Sequence, residues 1–290
     1  MRDAAATTTL AWSGTAGQAR PPGFAMPEAW LFRRSAPCLA LLLAACGARF
    51  APPPAGPDSL AAARATIAAT APAPAVAETP AEAEAVLGAV AQRLAAAAQP
   101  LCPSGCTLQV ALDPAAEPRA YMTARGRAVV TLGMVRLLAS EAEVAAVVGH
   151  EFGHHIAGHI GRRFARGTLA GTAAGTLLGA LVPFGGLAGW ALGEGAALAG
   201  STAAQLAFSK EEEREADYLG AYLVARAGYD LDRAGLVWVR LTRGGPGETA
   251  GLLDSHPAGP ERLAAWRQAT AEIRGSADLM PRRAGARAPS

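Results

Sequence analysis

The alternation of apolar and polar residues predicts a helix, a strand and a β-hairpin in the middle of the chain. Residues 81–98 are rich in alanine and contain no proline, a composition that favours a helix. Residues 107–112 fit a short strand. The runs 119–123 and 128–132 flank turn-forming residues at 124–127, and this arrangement predicts a hairpin.

A long helix is predicted directly after the hairpin. Ser140 is a suitable N-cap with Glu143 at the capping-box spacing, and apolar positions continue from there into His150. The expected fold class is α+β and mostly helical, with a small β-hairpin or sheet ahead of this helix. Three further helices are predicted downstream, over residues 209–226, 231–241 and 260–273.

Composition limits the possible functions. The 290 residues carry a formal net charge of +2, and 51% of them are hydrophobic, a figure dominated by alanine. No basic run interleaved with aromatic residues occurs, so nucleic acid is not an expected partner. The length suits one sizeable domain with additional tails.

The N-terminal residues predict an upstream extension and a lipoprotein signal peptide, together covering residues 1–46. Arg33 and Arg34 precede an apolar run that has the length of an export signal. This run is too short to span a bilayer, which takes roughly 20 apolar residues. It ends in LAAC, similar to a lipobox, so Cys46 is the expected lipidation site and mature N-terminus, with Met26 as a candidate start. An ordinary signal peptide with a chance cysteine is the alternative.

The residues after Cys46 favour the periplasmic side of the outer membrane. Gly47 follows the cysteine, where an aspartate would signal retention in the inner membrane. Residues 47–80 are rich in Ala and Pro and predict a flexible linker, through which the lipid would hold the domain at a membrane surface. Residues 276–290 predict a disordered tail.

Cys102 and Cys106 lie close together beside turn-forming residues. In an exported protein such a pair predicts a small disulfide. Two free buried thiols in a cytosolic protein are the alternative.

An H-E-x-x-H motif occupies residues 150–154 on the predicted long helix. Positions i and i+4 lie on one helix face about 6 Å apart along the axis, so His150 and His154 can bind one Zn²⁺. Glu151 lies about 100° round the helix. Zinc lowers the pKa of a bound water to about 7, and Glu151 is placed to take the proton of that water as a base. Two helix histidines with ordinary hydrogen bonds are the alternative.

A catalytic zinc takes three protein ligands, and the next predicted helix begins with several acidic residues. Glu213 and Asp217 share one face of it, so Glu213 is expected to bind the metal and Asp217 to orient a ligand histidine. Glu215 is the alternative ligand. Glu211 and Glu212 fit the solvated start of the helix.

Together these motifs resemble the HtpX and CaaX-prenyl-protease family of zinc metallopeptidases, which are gluzincins. Its short exported lipoprotein members are the most similar. The resemblance runs from about residue 81 to residue 274 and rests on four features: HEFGH at 150–154, E-x-E-A-D-x-x-G at 213–220, the hairpin, and Ser255-His256-Pro257 with Arg262 downstream.

The resemblance implies a zincin-like metallopeptidase domain over residues 81–275 with one Zn²⁺ per chain. It implies His150, His154 and Glu213 as ligands and Glu151 as the base. It also implies that Asp217 does not bind the metal but orients a ligand histidine. His256 is also expected at the active site. It would either stabilise the oxyanion of the reaction or occupy the open zinc position at rest.

Residues 164–208 predict a Gly- and Ala-rich helical hairpin inserted between the two halves of the zinc site. Glycines recur every four residues, which lets two helices approach closely. A hairpin that spans the membrane is the alternative. The recurring glycines are Gly167, Gly171, Gly175 and Gly179, then Gly185, Gly189 and Gly193.

The expected function is zinc-dependent cleavage of unfolded or misassembled envelope proteins, with the peptide added as a strand to the hairpin edge. A chaperone-like assembly factor that uses the same cleft without proteolysis is the alternative. Glu151 favours the enzyme, because a binding protein has no need for a base.

Overall fold

The described part of the chain is mostly helical with a three-stranded sheet, as the sequence predicts. It comprises residues 48–102, 105–123, 126–181, 208–243 and 259–285 of a computed structural model. The helices are α1 (Pro57–Ala69), α2 (Pro80–Ala98), α3 (Leu132–Leu137), α4 (Glu141–Ala157), α5 (His159–Leu181), α6 (Lys210–Arg226), α7 (Leu231–Arg243) and α8 (Pro260–Arg274), and a 3₁₀ turn follows α2 at Gln99–Leu101.

The sheet contains the predicted hairpin. Its strands are β1 (Gln109–Asp113), β2 (Ala120–Met122) and β3 (Arg127–Thr131). Strand β3 lies in the centre, antiparallel to β2 and parallel to β1. Strand β2 is therefore at an edge of this sheet, and helix α4 packs against it.

Helix α4 is buried along most of its length and ends at a glycine. The side chain of Ser140 accepts the N–H of Glu143, so the predicted N-cap is confirmed. The Glu143 carboxylate accepts the N–H of Ala139 and pairs with Arg240. Gly158 has a φ of 77°, a left-handed conformation that favours glycine and lets α5 begin in a new direction.

Small residues allow α4 and α6 to pack closely. A Cβ atom on Gly153 of α4 would lie 2.6 Å from the carbonyl oxygen of Ala216 on α6. One on Gly220 would lie 3.0 Å from the backbone nitrogen of His150. The close approach places the H-E-x-x-H motif beside the acidic face of α6.

Residues 48–80 differ from the predicted flexible linker. Helix α1 packs against α8, and the N–H of Val76 donates to the carbonyl of Leu138 at 2.7 Å. Phe50 is buried in the core with 4% of its surface exposed. Alanine side chains are short enough to let a helix lie close to its neighbour, and Phe50 supplies an aromatic anchor, so this Ala- and Pro-rich segment packs onto the domain.

Part of the predicted tail is paired with that segment. Phe50 and Arg283 form an antiparallel bridge, in which the N–H of Ala51 donates to Arg282 and the N–H of Ala284 donates to Arg49, both at 2.9 Å. Residues 276–285 are therefore docked, in contrast to the disorder predicted from their composition.

Several predicted features lie outside the described residues. These are the signal peptide with Cys46, residues 182–207 of the glycine-rich insert, and the last five residues of the tail. The beginning of the insert is helical, because α5 extends to Leu181. Among the described residues, no helix combines the length and apolar character that a membrane crossing requires.

Candidate metal centre

Three buried side chains converge where α4 meets α6. His150, His154 and Glu213 each offer a ligand atom, and these atoms lie within 4.8 Å of one another. Nε2 of His150 is 3.1 Å from Nε2 of His154, which is 3.3 Å from Oε1 of Glu213. The structure thus brings together the three residues that the sequence predicts as ligands.

The spacing of these atoms fits a zinc ion. Ligands bound tetrahedrally at 2.0–2.1 Å from zinc lie roughly 3.3 Å apart. Nε2 of His154 lies 3.1 Å from Nε2 of His150 and 3.3 Å from Oε1 of Glu213, which matches this value, and Nε2 of His150 lies 3.6 Å from the other carboxylate oxygen of Glu213. Two imidazoles and a carboxylate are also a ligand set of catalytic zinc sites, which leave a fourth position open.

A buried ion pair contacts His150 on the side of the ring that faces away from the other two ligands. Nδ1 of His150 donates to Oδ1 of Asp217 at 2.8 Å, which leaves Nε2 facing the other ligands. Arg262 donates to both oxygens of Asp217, from Nε at 2.8 Å and from Nη2 at 2.6 Å. Burial opposes ionisation of Asp217, but the charge and hydrogen bonds of Arg262 outweigh it and lower the pKa of this carboxyl group.

Arg262 is held in place by further contacts. Its guanidinium carbon lies 3.8 Å from the ring centre of Trp238, and Nη1 is 3.5 Å from Oε2 of Glu213. Burial disfavours the charged form, yet the neighbouring carboxylates, Asp217 first, raise the pKa of the guanidinium. Arg262 therefore remains a cation that links the carboxylates of Asp217 and Glu213.

Glu215, the alternative ligand in the sequence prediction, is outside this cluster. It is fully buried on another side of α6, where Oε2 lies 3.0 Å from Nε2 of His159. His159 in turn lies 2.8 Å from His154, between their Nδ1 atoms.

Glu151 is buried, with 1% of its surface exposed, and lines a small cavity next to His150. Its position on α4 is the one that the motif predicts for a base acting beside the metal. The remaining residues of the cavity wall are Val147, Trp238, Leu241 and Arg262.

The sequence analysis named Arg262 among the motif residues but assigned it no role, and it did not identify Trp238 or Phe208. The ring of Phe208 stacks on that of His154 with centroids 3.9 Å apart. A signal for Arg262 was present, because it shares a helix face with the buried residues Trp266 and Ile273. A charged residue in an apolar stripe predicts a buried partner.

Glu212 also differs from its prediction. It was assigned to the solvated start of α6, but it is buried, caps the helix at Ser209 and pairs with Arg166 at 2.7 Å. Glu211 is exposed, as predicted.

Two predicted site residues, His256 and Cys46, lie outside the described residues. Cys102 and Cys106 are joined by a disulfide.

Comparison with known proteins agrees with this chemistry. The model of a family described as peptidase family M48 matches residues 78–270. The mitochondrial metalloendopeptidase OMA1 of Arabidopsis thaliana is 31% identical over 146 residues. That match covers 49% of this chain and 27% of the relative, so the chain spans about a quarter of the length of OMA1.

Proposed function

We propose that this chain, which belongs to peptidase family M48, is a zinc metalloendopeptidase that cleaves unfolded or misassembled proteins of the cell envelope. The observation that carries the proposal is the buried cluster of His150, His154 and Glu213 with Glu151 beside it. A binding protein needs no base, whereas this cleft holds Glu151 next to the predicted metal site.

His150, His154 and Glu213 would hold the zinc. When bound, the ion acts as a Lewis acid that lowers the pKa of water to about 7 and polarises a carbonyl group. Glu151 is the base, and its carboxylate accepts the proton of the attacking water and returns it to the leaving amine nitrogen. The burial of Glu151 limits competing contact with bulk solvent.

The edge strand β2 supports a preference for unfolded substrates. The backbone groups of Arg119 and Thr123 bond to β3, so the alternation of a strand directs those of Ala120 and Met122 to the outer edge. A peptide can add there through backbone hydrogen bonds, which do not depend on its sequence. Only an extended segment can pair in this way, and folded substrates offer few such segments.

A position at the envelope is supported by the N-terminal sequence and by a disulfide. The LAAC sequence ending at Cys46 is similar to a lipobox. Cys102 and Cys106 form a disulfide, and disulfides persist in oxidising compartments such as the periplasm. We therefore place the domain at the periplasmic face of a membrane, the outer membrane in preference, held by a lipid on Cys46.

Replacement of Glu151 by glutamine tests the proposed chemistry. An amide has the same shape but cannot accept the proton, so we expect cleavage of unfolded casein to fall by about 10²–10⁴-fold. Zinc content should stay at one ion per chain. Glu141→Gln alters an exposed glutamate of the same helix and should leave cleavage unchanged.

The same comparison separates the enzyme from the chaperone-like alternative. A binding protein would suppress substrate aggregation equally well with either residue at position 151 and would cleave nothing. Equal casein cleavage by the wild type and Glu151→Gln would reject Glu151 as the base.

A further inference from the structure

We propose that His159 and Glu215 are positioning residues for the zinc ligand His154, and that residues 49–51 complete their support. A chain of hydrogen bonds leads from the metal centre to this N-terminal segment. The proposal rests on His154 being a zinc ligand and goes beyond the proposed function by connecting metal affinity to a distant part of the chain.

The first link is between two histidine rings. Nδ1 of His154 and Nδ1 of His159 are 2.8 Å apart, and both side chains are fully buried. Because Nε2 of His154 faces His150 and Glu213, its Nδ1 is the nitrogen left to bond elsewhere. The turn at Gly158 places His159 beside the ring of His154 rather than on the next turn of α4.

The second link determines which ring nitrogens of His159 and His154 carry a proton. Nε2 of His159 lies 3.0 Å from Oε2 of Glu215, and an ionised carboxylate can only accept. His159 therefore carries its proton on Nε2, its Nδ1 accepts, and Nδ1 of His154 donates. This tautomer leaves Nε2 of His154 with a lone pair directed to the metal centre. Asp217 sets the tautomer of His150 in the same way, through one direct hydrogen bond to its Nδ1.

The third link is the N-terminal segment. Oε1 of Glu215 accepts the backbone N–H groups of Arg49 at 2.6 Å and Phe50 at 2.9 Å. The segment is held by its bridge to Arg283 and by the buried ring of Phe50. Its docking therefore orients the Glu215 carboxylate, and through it the two histidines.

Zinc affinity is the direct measure of this support. Loss of a residue that hydrogen-bonds to a metal ligand typically weakens metal affinity by about 10–100-fold. In the full-length protein, competition with a chromophoric chelator should show zinc binding weakened by that factor in Glu215→Gln. Glu212→Gln is the matched control, since Glu212 is a buried carboxylate on the same helix that pairs with Arg166. It should leave zinc affinity unchanged.

The N-terminal link is tested by removing one N–H group. Arg49→Pro deletes the donor at 2.6 Å from Glu215 and should weaken zinc binding, whereas Ala55→Pro in the exposed part of the same segment should not. In the Glu215→Gln background, Arg49→Pro should have no further effect, because both changes act on one chain of bonds.

Nitrogen-15 NMR of the histidine rings gives a readout that a merely structural role would not produce. Wild type should carry the proton of His159 on Nε2 and that of His154 on Nδ1; the reverse assignment would overturn the proposal. So would zinc affinity in Glu215→Gln equal to that in Glu212→Gln. If Glu215→Gln does not fold, as judged by circular dichroism, Arg49→Pro decides the question. A wild type that binds no zinc would instead reject the ligand assignment itself.

Discussion

Asp217 and Arg262 form a buried ion pair whose removal would affect both stability and zinc binding. Asp217 is 2% exposed and Arg262 is 7% exposed, and two hydrogen bonds join them. Breaking a buried pair from one side leaves an uncompensated charge, which costs about 3–5 kcal/mol. The bond to His150 would also be altered, because an amide orients the ring less firmly than a carboxylate.

We therefore expect Asp217→Asn to lower the free energy of unfolding by about 3–5 kcal/mol and to weaken zinc binding by about 10–100-fold. Urea denaturation of the metal-free protein and chelator competition measure these two effects separately. Asp232→Asn is the control, since Asp232 pairs with Arg274 on the surface, where such pairs contribute about 0–1 kcal/mol. Similar losses in both variants would contradict the role of burial.

At this scale, the sequence predicted the ligand residues but not the contact between Asp217 and Arg262. Glu213 and Asp217 could be selected because they are four residues apart on one helix, and the period of a helix is known in advance. Arg262 lies 45 residues from Asp217, and their contact depends on how α8 packs against α6. No local pattern encodes that arrangement.

The close packing of α4 and α6 is the main determinant at the scale of elements. Gly153 precedes His154 and faces Ala216, whose carbonyl lies 2.6 Å from the position of a Cβ atom on that glycine. Because the obstacle is backbone, an alanine there forces the two helices apart. The separation would move His154 away from Glu213.

Gly153→Ala is therefore expected to destabilise the protein by about 1–3 kcal/mol and to weaken zinc binding. Gly88→Ala provides the contrast, since Gly88 is exposed in α2 with no atom within 4 Å of the added carbon. Alanine should stabilise that helix by about 0.5–1 kcal/mol. Urea denaturation measures both; equal stabilisation by the two substitutions would show that the helices are not in tight contact.

Several elements were predicted to within a few residues from local signals, although helices α1 and α3 were not predicted. Ser140 caps α4, and the hairpin strands β2 and β3 pair as expected. The parallel pairing of β1 with β3 was not predicted, because it joins strands separated by a crossover and leaves no periodic signal of its own.

For the whole molecule, the N-terminal segment changes the interpretation of the domain. Composition predicted a flexible linker and a disordered tail, yet residues 49–51 and 282–284 bond to each other. Their contact spans more than 200 positions of the sequence, so neither half shows it alone. The segment that would follow a lipidated Cys46 is thus part of the domain, and a lipid there would hold the enzyme close to the membrane.

Cys46→Ser tests this anchoring. A lipid contributes about 0.8 kcal/mol per buried CH₂ group, so the wild type should remain with membranes after alkaline carbonate extraction. Cys46→Ser should appear in the soluble fraction and lose incorporation of labelled fatty acid. Cys38→Ser changes a cysteine within the preceding apolar run and should behave like the wild type. Full retention of Cys46→Ser in the carbonate pellet would mean that another segment, such as residues 164–208, holds the protein in the membrane.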